Sequence, residues 1–185
     1  MLFRSTVRQG ALRITGVQPN ANAITLAGTS TFETALAAGT AQSYGALTFS
    51  GGDATVKSTQ VGAAQTLTFA SLGAKPIGAT ANFALSGGDA TTNRIVLTGA
   101  AANAPLGTGY FFNGSSYAFV DAAGYVRAYG AGDAGYVTPS TYASVATKTA
   151  TITTTAGLPG QTSIQVDSTT GLLAGQVIKI GRAHV

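Results

Sequence analysis

Apolar residues recur along this chain in short alternating bursts: Ile24-Thr25-Leu26, Leu47-Thr48-Phe49, Leu67-Thr68-Phe69, Ala81-Asn82-Phe83-Ala84-Leu85 and Ile95-Val96-Leu97. Tyr110 to Phe112, Tyr117 to Val120, Tyr125 to Tyr129, Ile164 to Val166 and Val177 to Ile180 continue the series. Alternation sends every second side chain to one face of a strand, and the Gly, Asn, Asp and Ser clusters between the bursts are turn formers. The pattern predicts an all-β chain. One segment, Phe32 to Ala38 with Gly39 behind it, carries apolar residues at helical spacing. It reads either as a single helical turn or as a strand followed by a corner.

The bursts at Leu47, Leu67 and Phe83 are spaced at close to twenty residues. A repeat of that size predicts a β-solenoid of parallel β-helix type, in which each coil adds a strand to its neighbour's edge. The six residues Ser50 to Thr55, Ser-Gly-Gly-Asp-Ala-Thr, return unchanged as Ser86 to Thr91, thirty-six residues later. That interval fits two rungs or one larger hairpin pair. In either case Gly-Gly-Asp suits a tight corner, because Gly reaches positive φ freely and Asp accepts backbone hydrogen bonds there.

An antiparallel aromatic hairpin or meander is predicted near residues 109–129. Asn113-Gly114 between two β-forming runs favours a two-residue turn with both central residues at positive φ. Counting outward opposes Phe112 to Ser115 and Tyr110 to Tyr117, which puts Tyr110, Phe112, Tyr117 and Phe119 on one face. A second reversal at Ala122-Ala123-Gly124 then adds Tyr125 to Tyr129 as a third strand.

Composition narrows what such a fold does. Of 185 residues, 45% are hydrophobic and only 9% charged, against roughly a quarter charged in an ordinary domain. The net charge of +4 is spread thinly, with only Arg4, Arg8 and Arg13 near one another; a nucleic-acid partner wants a dense basic face and is not expected. The chain has no cysteine, which removes disulfides, thiolate metal sites and Cys nucleophiles. No apolar run reaches the roughly 18 residues of a membrane helix, and the first sixteen residues lack the apolar stretch of a signal peptide.

In their order along the chain, several of these segments resemble one family. Gly10-Ala11-Leu12-Arg13-Ile14-Thr15, then Ile24 to Gly28 with Phe32-Glu33-Thr34, resemble the recurring units of proteins with bacterial autotransporter-associated β-strand repeats. Tyr44 to Phe49 with Lys57-Ser58, Leu67 to Phe69, Gly78 to Phe83 and Asn93 to Leu97 look like further units, as do the Asn-Gly hairpin and its continuation from Asp121 to Ala128. The resemblance covers roughly residues 10–145. It implies a β-helical passenger segment of a secreted or outer-membrane-displayed protein, extracellular, bringing no catalytic residues. Membrane attachment would come only through a region outside this chain. The expected division is a β-strand-repeat region over 1–145, a further β segment over 146–180, and a tail at 181–185. Ile180 to Val185 resembles translated sequencing-adapter read-through, so His184, the only histidine, is set aside and the chain is expected to be a piece of a longer reading frame.

Candidate chemistry is sparse. Asp53 and Asp89, in the two copies of the hexapeptide, could pair for glycoside hydrolysis or bind calcium; hydrolysis needs two carboxyls flanking one bond, and the calcium-binding nonapeptide pattern is missing. Their Gly-Gly-Asp setting favours turn residues. No catalytic residue, metal site or cofactor is expected. For binding, the aromatic residues Tyr110, Tyr117 and Phe119 are the candidates, either stacking on sugar rings or packed as the covering of the solenoid. The expected partners are cell-surface or polysaccharide ligands and neighbouring repeats of the same chain. A polysaccharide-acting β-helix enzyme and a phage tail-fibre module are the alternatives.

Overall fold

The computed structural model describes residues 4–19 and 21–136. The predicted strands at Ile164–Val166 and Val177–Ile180, the segment 146–180 and the tail 181–185 lie outside them.

Thirteen strands and no helix form among the described residues: β1 (Arg4–Val7), β2 (Gly10–Ile14), β3 (Ala23–Ala27), β4 (Ser30–Thr34), β5 (Ala41–Gly51), β6 (Asp53–Thr59), β7 (Gln65–Leu72), β8 (Thr80–Ser86), β9 (Asn93–Leu97), β10 (Ala104–Pro105), β11 (Tyr110–Phe112), β12 (Ser116–Val120) and β13 (Val126–Ala128). They build a parallel β-solenoid of about four turns. Odd strands β1-β3-β5-β7-β9 stack into one sheet; β2-β4-β6-β8-β11 stack into the other, which β12 and β10 extend antiparallel, with β13 also on β12. Phe32 to Thr34 thus belongs to a strand, β4, and Ala35 to Thr40 is the corner after it.

Each turn of the coil visits both sheets, so a residue's partner above lies one full turn along the chain. That step is not constant. From Arg4 to Ala23 it is 19 residues, from Ile24 to Leu47 it is 23, and from Gln65 to Asn93 it is 28. Strand length varies from 4 residues in β1 to 11 in β5, and the corners between strands vary as well. Leu47, Leu67 and Phe83 are consequently not equivalent: Leu47 pairs with Ile24 and Leu72, Leu67 with Gln42 and Ile95, and Phe83 lies in the other sheet.

Between the sheets, paired residues line up into columns. One runs Leu12, Phe32, Val56, Phe83, Phe112 from β2 to β11. Facing it are Val7, Leu26, Phe49 and, further along, Tyr44, Phe69, Leu97. Phe32, Phe69, Phe83, Leu26, Leu47 and Leu97 have no exposed surface, and each such side chain contributes roughly 1.5–3 kcal/mol of transfer free energy. The rings meet edge-on, with Phe32 to Tyr44 at 5.0 Å and Phe49 to Phe83 at 6.2 Å between centroids, the arrangement ring quadrupoles prefer.

On the outer face of the second sheet the same register stacks charges. Arg13, Glu33 and Lys57 are successive partners, and Glu33 is within 3.5 Å of Arg13 Nε and 3.4 Å of Lys57 Nζ. Burial alone would raise the Glu33 carboxyl; the Thr59 hydroxyl and Lys57 outweigh it and hold the carboxyl below its usual range.

Tyr44 carries a cost. Its ring is buried at 3% exposure and its hydroxyl has no hydrogen-bond partner among the described residues, so burial pushes its pKa up to about 12. Removing an unpaired buried hydroxyl without changing shape is stabilising. Tyr44→Phe is expected to raise unfolding free energy by about 1 kcal/mol in urea titration. A folded pKa above the unfolded value of about 10 means wild-type stability is whole below pH 10 and falls as pH rises towards the folded pKa. The variant should lose that alkaline decline; an unchanged pH profile would refute the assignment.

The coil ends in a covering. β11 takes the last parallel position on β8, and β12 then reverses direction over it. Just before β13, Tyr125 bridges antiparallel to Val96 on β9, the last strand in the first sheet's order. Among the described residues both sheets therefore meet antiparallel chain at this end, the cap: β12 on β11 and Tyr125 on Val96.

Candidate functional site

Among the described residues the exposed aromatics Tyr117 and Tyr136 lie in the cap, and the register of its hairpin decides which rings of β12 face outward. Asn113 and Gly114 adopt positive φ of 49° and 69°, and Ser115 N donates to Phe112 O at 3.3 Å, so the Asn-Gly turn closes as its sequence predicts. The ladder, however, pairs Phe112 with Ser116 and Phe111 with Tyr117. Ser115 is an extra residue on the return strand. Because side chains alternate, one residue of offset moves each aromatic of one strand to the opposite side.

Tyr110, which β11 pairs with the buried Ala81 of β8, faces inward, 8% exposed, against Phe49 and Phe83 at 6.1 and 6.4 Å. Phe112 follows it against the core. Tyr117 and Phe119 point away from the core, while Ala118 and Val120 between them fill it. The expected single face of Tyr110, Phe112, Tyr117 and Phe119 is thus divided between two faces. Of the three binding candidates, Tyr110 and Phe119 are buried and only Tyr117, 56% exposed, presents a ring to solvent.

Phe119 is covered on the outside by neighbours. Tyr129 stacks on it at 5.5 Å and the Arg127 guanidinium lies 4.4 Å from its ring centre. Arg127 in turn forks onto both oxygens of Asp133, which also accepts from Gly130 N at 2.9 Å. The Arg127 hydrogen bonds pull the Asp133 carboxyl down to about 2. This clamp fixes the segment that carries Tyr129 and Tyr136.

The result is an outer platform. Phe111 and Tyr117 stack across the hairpin at 5.6 Å, Tyr136 meets Tyr129 edge-on at 5.3 Å, and the four rings line one shallow groove with Ser115 and Ser116. Phe111, Tyr129 and Tyr136 were not singled out by sequence reasoning. Phe111 is turned outward by the pairing of β11 on β8, where it lies beside Asn82, and Tyr129 and Tyr136 are placed by the Arg127–Asp133 clamp; none of the three carries a local sequence signal.

The acids are occupied with turns. Asp53 accepts from the Thr80 hydroxyl one rung above. Asp89 Oδ1 accepts from the hydroxyls and backbone N–H groups of both Thr91 and Thr92, with the Thr91 hydroxyl foremost in lowering its pKa to about 2. Asp121 Oδ1 accepts from Ala123 N and Tyr125 N, closing the reversal into β13. The two copies of Ser-Gly-Gly-Asp-Ala-Thr occupy opposite corners: the first leads from β5 to β6, the second from β8 towards β9. They lie one and a half turns apart, so Asp53 and Asp89 do not share a corner.

Asp89 and Asp121, by contrast, line one cleft beside the cap, together with Arg94 and Arg127. A glycosidase acid needs a raised pKa, and the Asp89 carboxyl is lowered. Among the described residues no group of three His, Cys, Asp or Glu side chains is placed to hold a metal ion. What the cap offers is recognition chemistry: exposed rings, hydroxyls and a few unspent polar groups around apolar floor. Comparison with protein-family models, curated proteins and solved structures finds no match to this chain.

Proposed function

We propose that this chain is a non-catalytic structural and adhesive segment of a secreted or surface-displayed protein of autotransporter-passenger type, working outside the cell at a bacterial outer-membrane surface. The observation that carries the reading is the joining of a parallel solenoid to a cap whose aromatic platform faces solvent. A solenoid rung contacts only its neighbours, so such a segment supplies stiffness and reach without a closed active-site cavity. Exposed Tyr rings fixed by packing lose little entropy on binding, which suits them to contact sugar rings or another cell-surface ligand. The order of repeat-like segments along the sequence supports the same family.

A second reading, a polysaccharide-acting enzyme, is favoured by one observation, the cleft shared by Asp89 and Asp121. Against it stands the use of both carboxylates as turn acceptors.

Beads coated with the full chain test the two together. They are expected to be retained on polysaccharide-coated glass, with Tyr117→Ala lowering retention about three- to tenfold, the scale of one lost aromatic contact, at unchanged melting temperature. Retention equal to that of albumin-coated beads overturns the adhesive reading. Release of reducing ends from those polysaccharides, abolished in Asp89→Asn, would establish the enzyme in its place.

A further inference from the structure

The cleft beside the cap is a second, differently built site. It opens between the Gly87–Asn93 corner and the β12–β13 reversal and encloses about 330 Å3, within the range of small-molecule pockets. Its floor is apolar: Leu85 and Phe112 pack against the core and Val126 is buried. Its walls carry Asp89, Arg94 and Asp121.

The polar groups of those walls are only partly spent. Arg94 donates Nε to Ala90 O at 3.0 Å and Nη1 to the Tyr125 hydroxyl at 2.9 Å; a guanidinium has five N–H groups, so three remain. Asp89 and Asp121 receive all their hydrogen bonds on Oδ1, and neither Oδ2 has a partner among the described residues. Arg127, also on the wall, is neutralised by Asp133. One positive charge from Arg94 against two negative charges from Asp89 and Asp121 leaves the cleft at −1.

That balance selects the ligand. A free anion meets net repulsion. A calcium ion wants six or more oxygens, and the walls supply two unspent carboxylate oxygens. A neutral polyol fits, because each hydroxyl both donates, here to a carboxylate, and accepts, here from a guanidinium. The C–H face of a pyranose ring can then lie on the apolar floor. We propose that this cleft binds one neutral pyranose residue of a glycan, with Arg94 donating to its hydroxyls, Asp89 and Asp121 accepting from them, and Leu85, Phe112 and Val126 beneath the ring. The site is separate from the outer platform and shares with the adhesive reading only the premise that the chain meets glycans.

Saturation-transfer NMR on the full chain tests it with maltotriose, cellotriose, mannotriose and trigalacturonate. At least one neutral trisaccharide is expected to bind saturably. Arg94→Gln should weaken it about tenfold, the loss of a charged hydrogen bond. Asp89→Asn, which keeps the acceptor for Thr91 and Thr92 and replaces the unspent oxygen, should weaken it as well, while Ile77→Ser, a fully exposed position lining neither the cleft nor the platform, leaves it unchanged. Binding of trigalacturonate alone overturns the proposal. So does neutral-sugar binding that survives both cleft variants and is lost in Tyr117→Ala, a result that moves the glycan to the outer platform and leaves the adhesive reading standing. Absence of binding by all four sugars also overturns it, while bead retention decides the adhesive reading separately.

Discussion

Asn93→Leu is expected to destabilise the fold by about 3–5 kcal/mol, because several buried polar groups lose their partners together. Asn93 has no exposed surface and stands at the start of β9, where the chain turns from one sheet into the other. Its Nδ2 donates to Ser58 O at 3.0 Å, Ser86 O at 3.1 Å and Gly87 O at 3.0 Å, and its Oδ1 accepts from Ser58 Oγ at 2.6 Å. Ser58 Oγ accepts in turn from Gln65 Nε2, and Gln65 Oε1 accepts from Leu36 N at 3.2 Å. At a solenoid corner the backbone leaves one ladder before joining the next. Here Ser86 O keeps one backbone donor, Gln60 N at 2.8 Å, and the Asn93 amide supplies the donor for Gly87 O and a second one for Ser86 O. Leucine fills the volume and satisfies none of them. Urea denaturation of Asn93→Leu, Ser58→Ala and the double variant measures the effect; the two losses should be strongly non-additive, since both cut one network. A loss below about 1 kcal/mol for Asn93→Leu would show that the corner finds other partners.

The strands were legible in the sequence because alternation is a local property: Leu67-Thr68-Phe69 needs no knowledge of its neighbours to read as a half-buried strand, and each of these bursts within the described residues falls on or overlaps a strand, while the two-residue strand Ala104–Pro105 carries no such burst. The turn length of the coil was not legible. It depends on corner lengths, which carry no hydrophobic signal, so an interval near twenty residues joined Leu47, Leu67 and Phe83 from non-equivalent positions. The thirty-six-residue repeat misled in a related way: a Gly-Gly-Asp corner serves equally well at either side of the coil, so its recurrence marks corners without marking full turns. In the cap, the type of turn at Asn113-Gly114 was readable and the extra Ser115 was not. That one residue decides whether Tyr117 or its neighbour Ala118 shares the outer face with Phe111. The cleft was invisible for a further reason, since Arg94 and Tyr125 meet 31 residues apart through the antiparallel return of the cap.

Those corners set the second large effect. Gly52 and Gly28 occupy stacked corners of successive turns, both with left-handed backbone at φ of 70° and 60°. A Cβ placed on Gly52 would lie 2.6 Å from the Cα and carbonyl carbon of Gly28, and one on Gly28 would lie 2.6 Å from Arg8 O. The obstacle is backbone in both cases, and it cannot swing aside as a side chain can. Gly52→Ala therefore combines the left-handed penalty of about 1–2 kcal/mol with a forced separation of two turns whose strands are hydrogen-bonded to each other. The total expected is about 3–4 kcal/mol, the strain and overpacking costs added. Gly114 provides the comparison: its φ is 69°, and nothing stands within 4 Å of a Cβ there. Gly114→Ala should cost only the left-handed penalty, about 1–2 kcal/mol. The difference between the two variants in urea denaturation isolates the close approach of the turns from the conformational preference of the residue. Equal losses would mean that the corner at Gly28 yields, and that the stack is held by its strands and core columns alone.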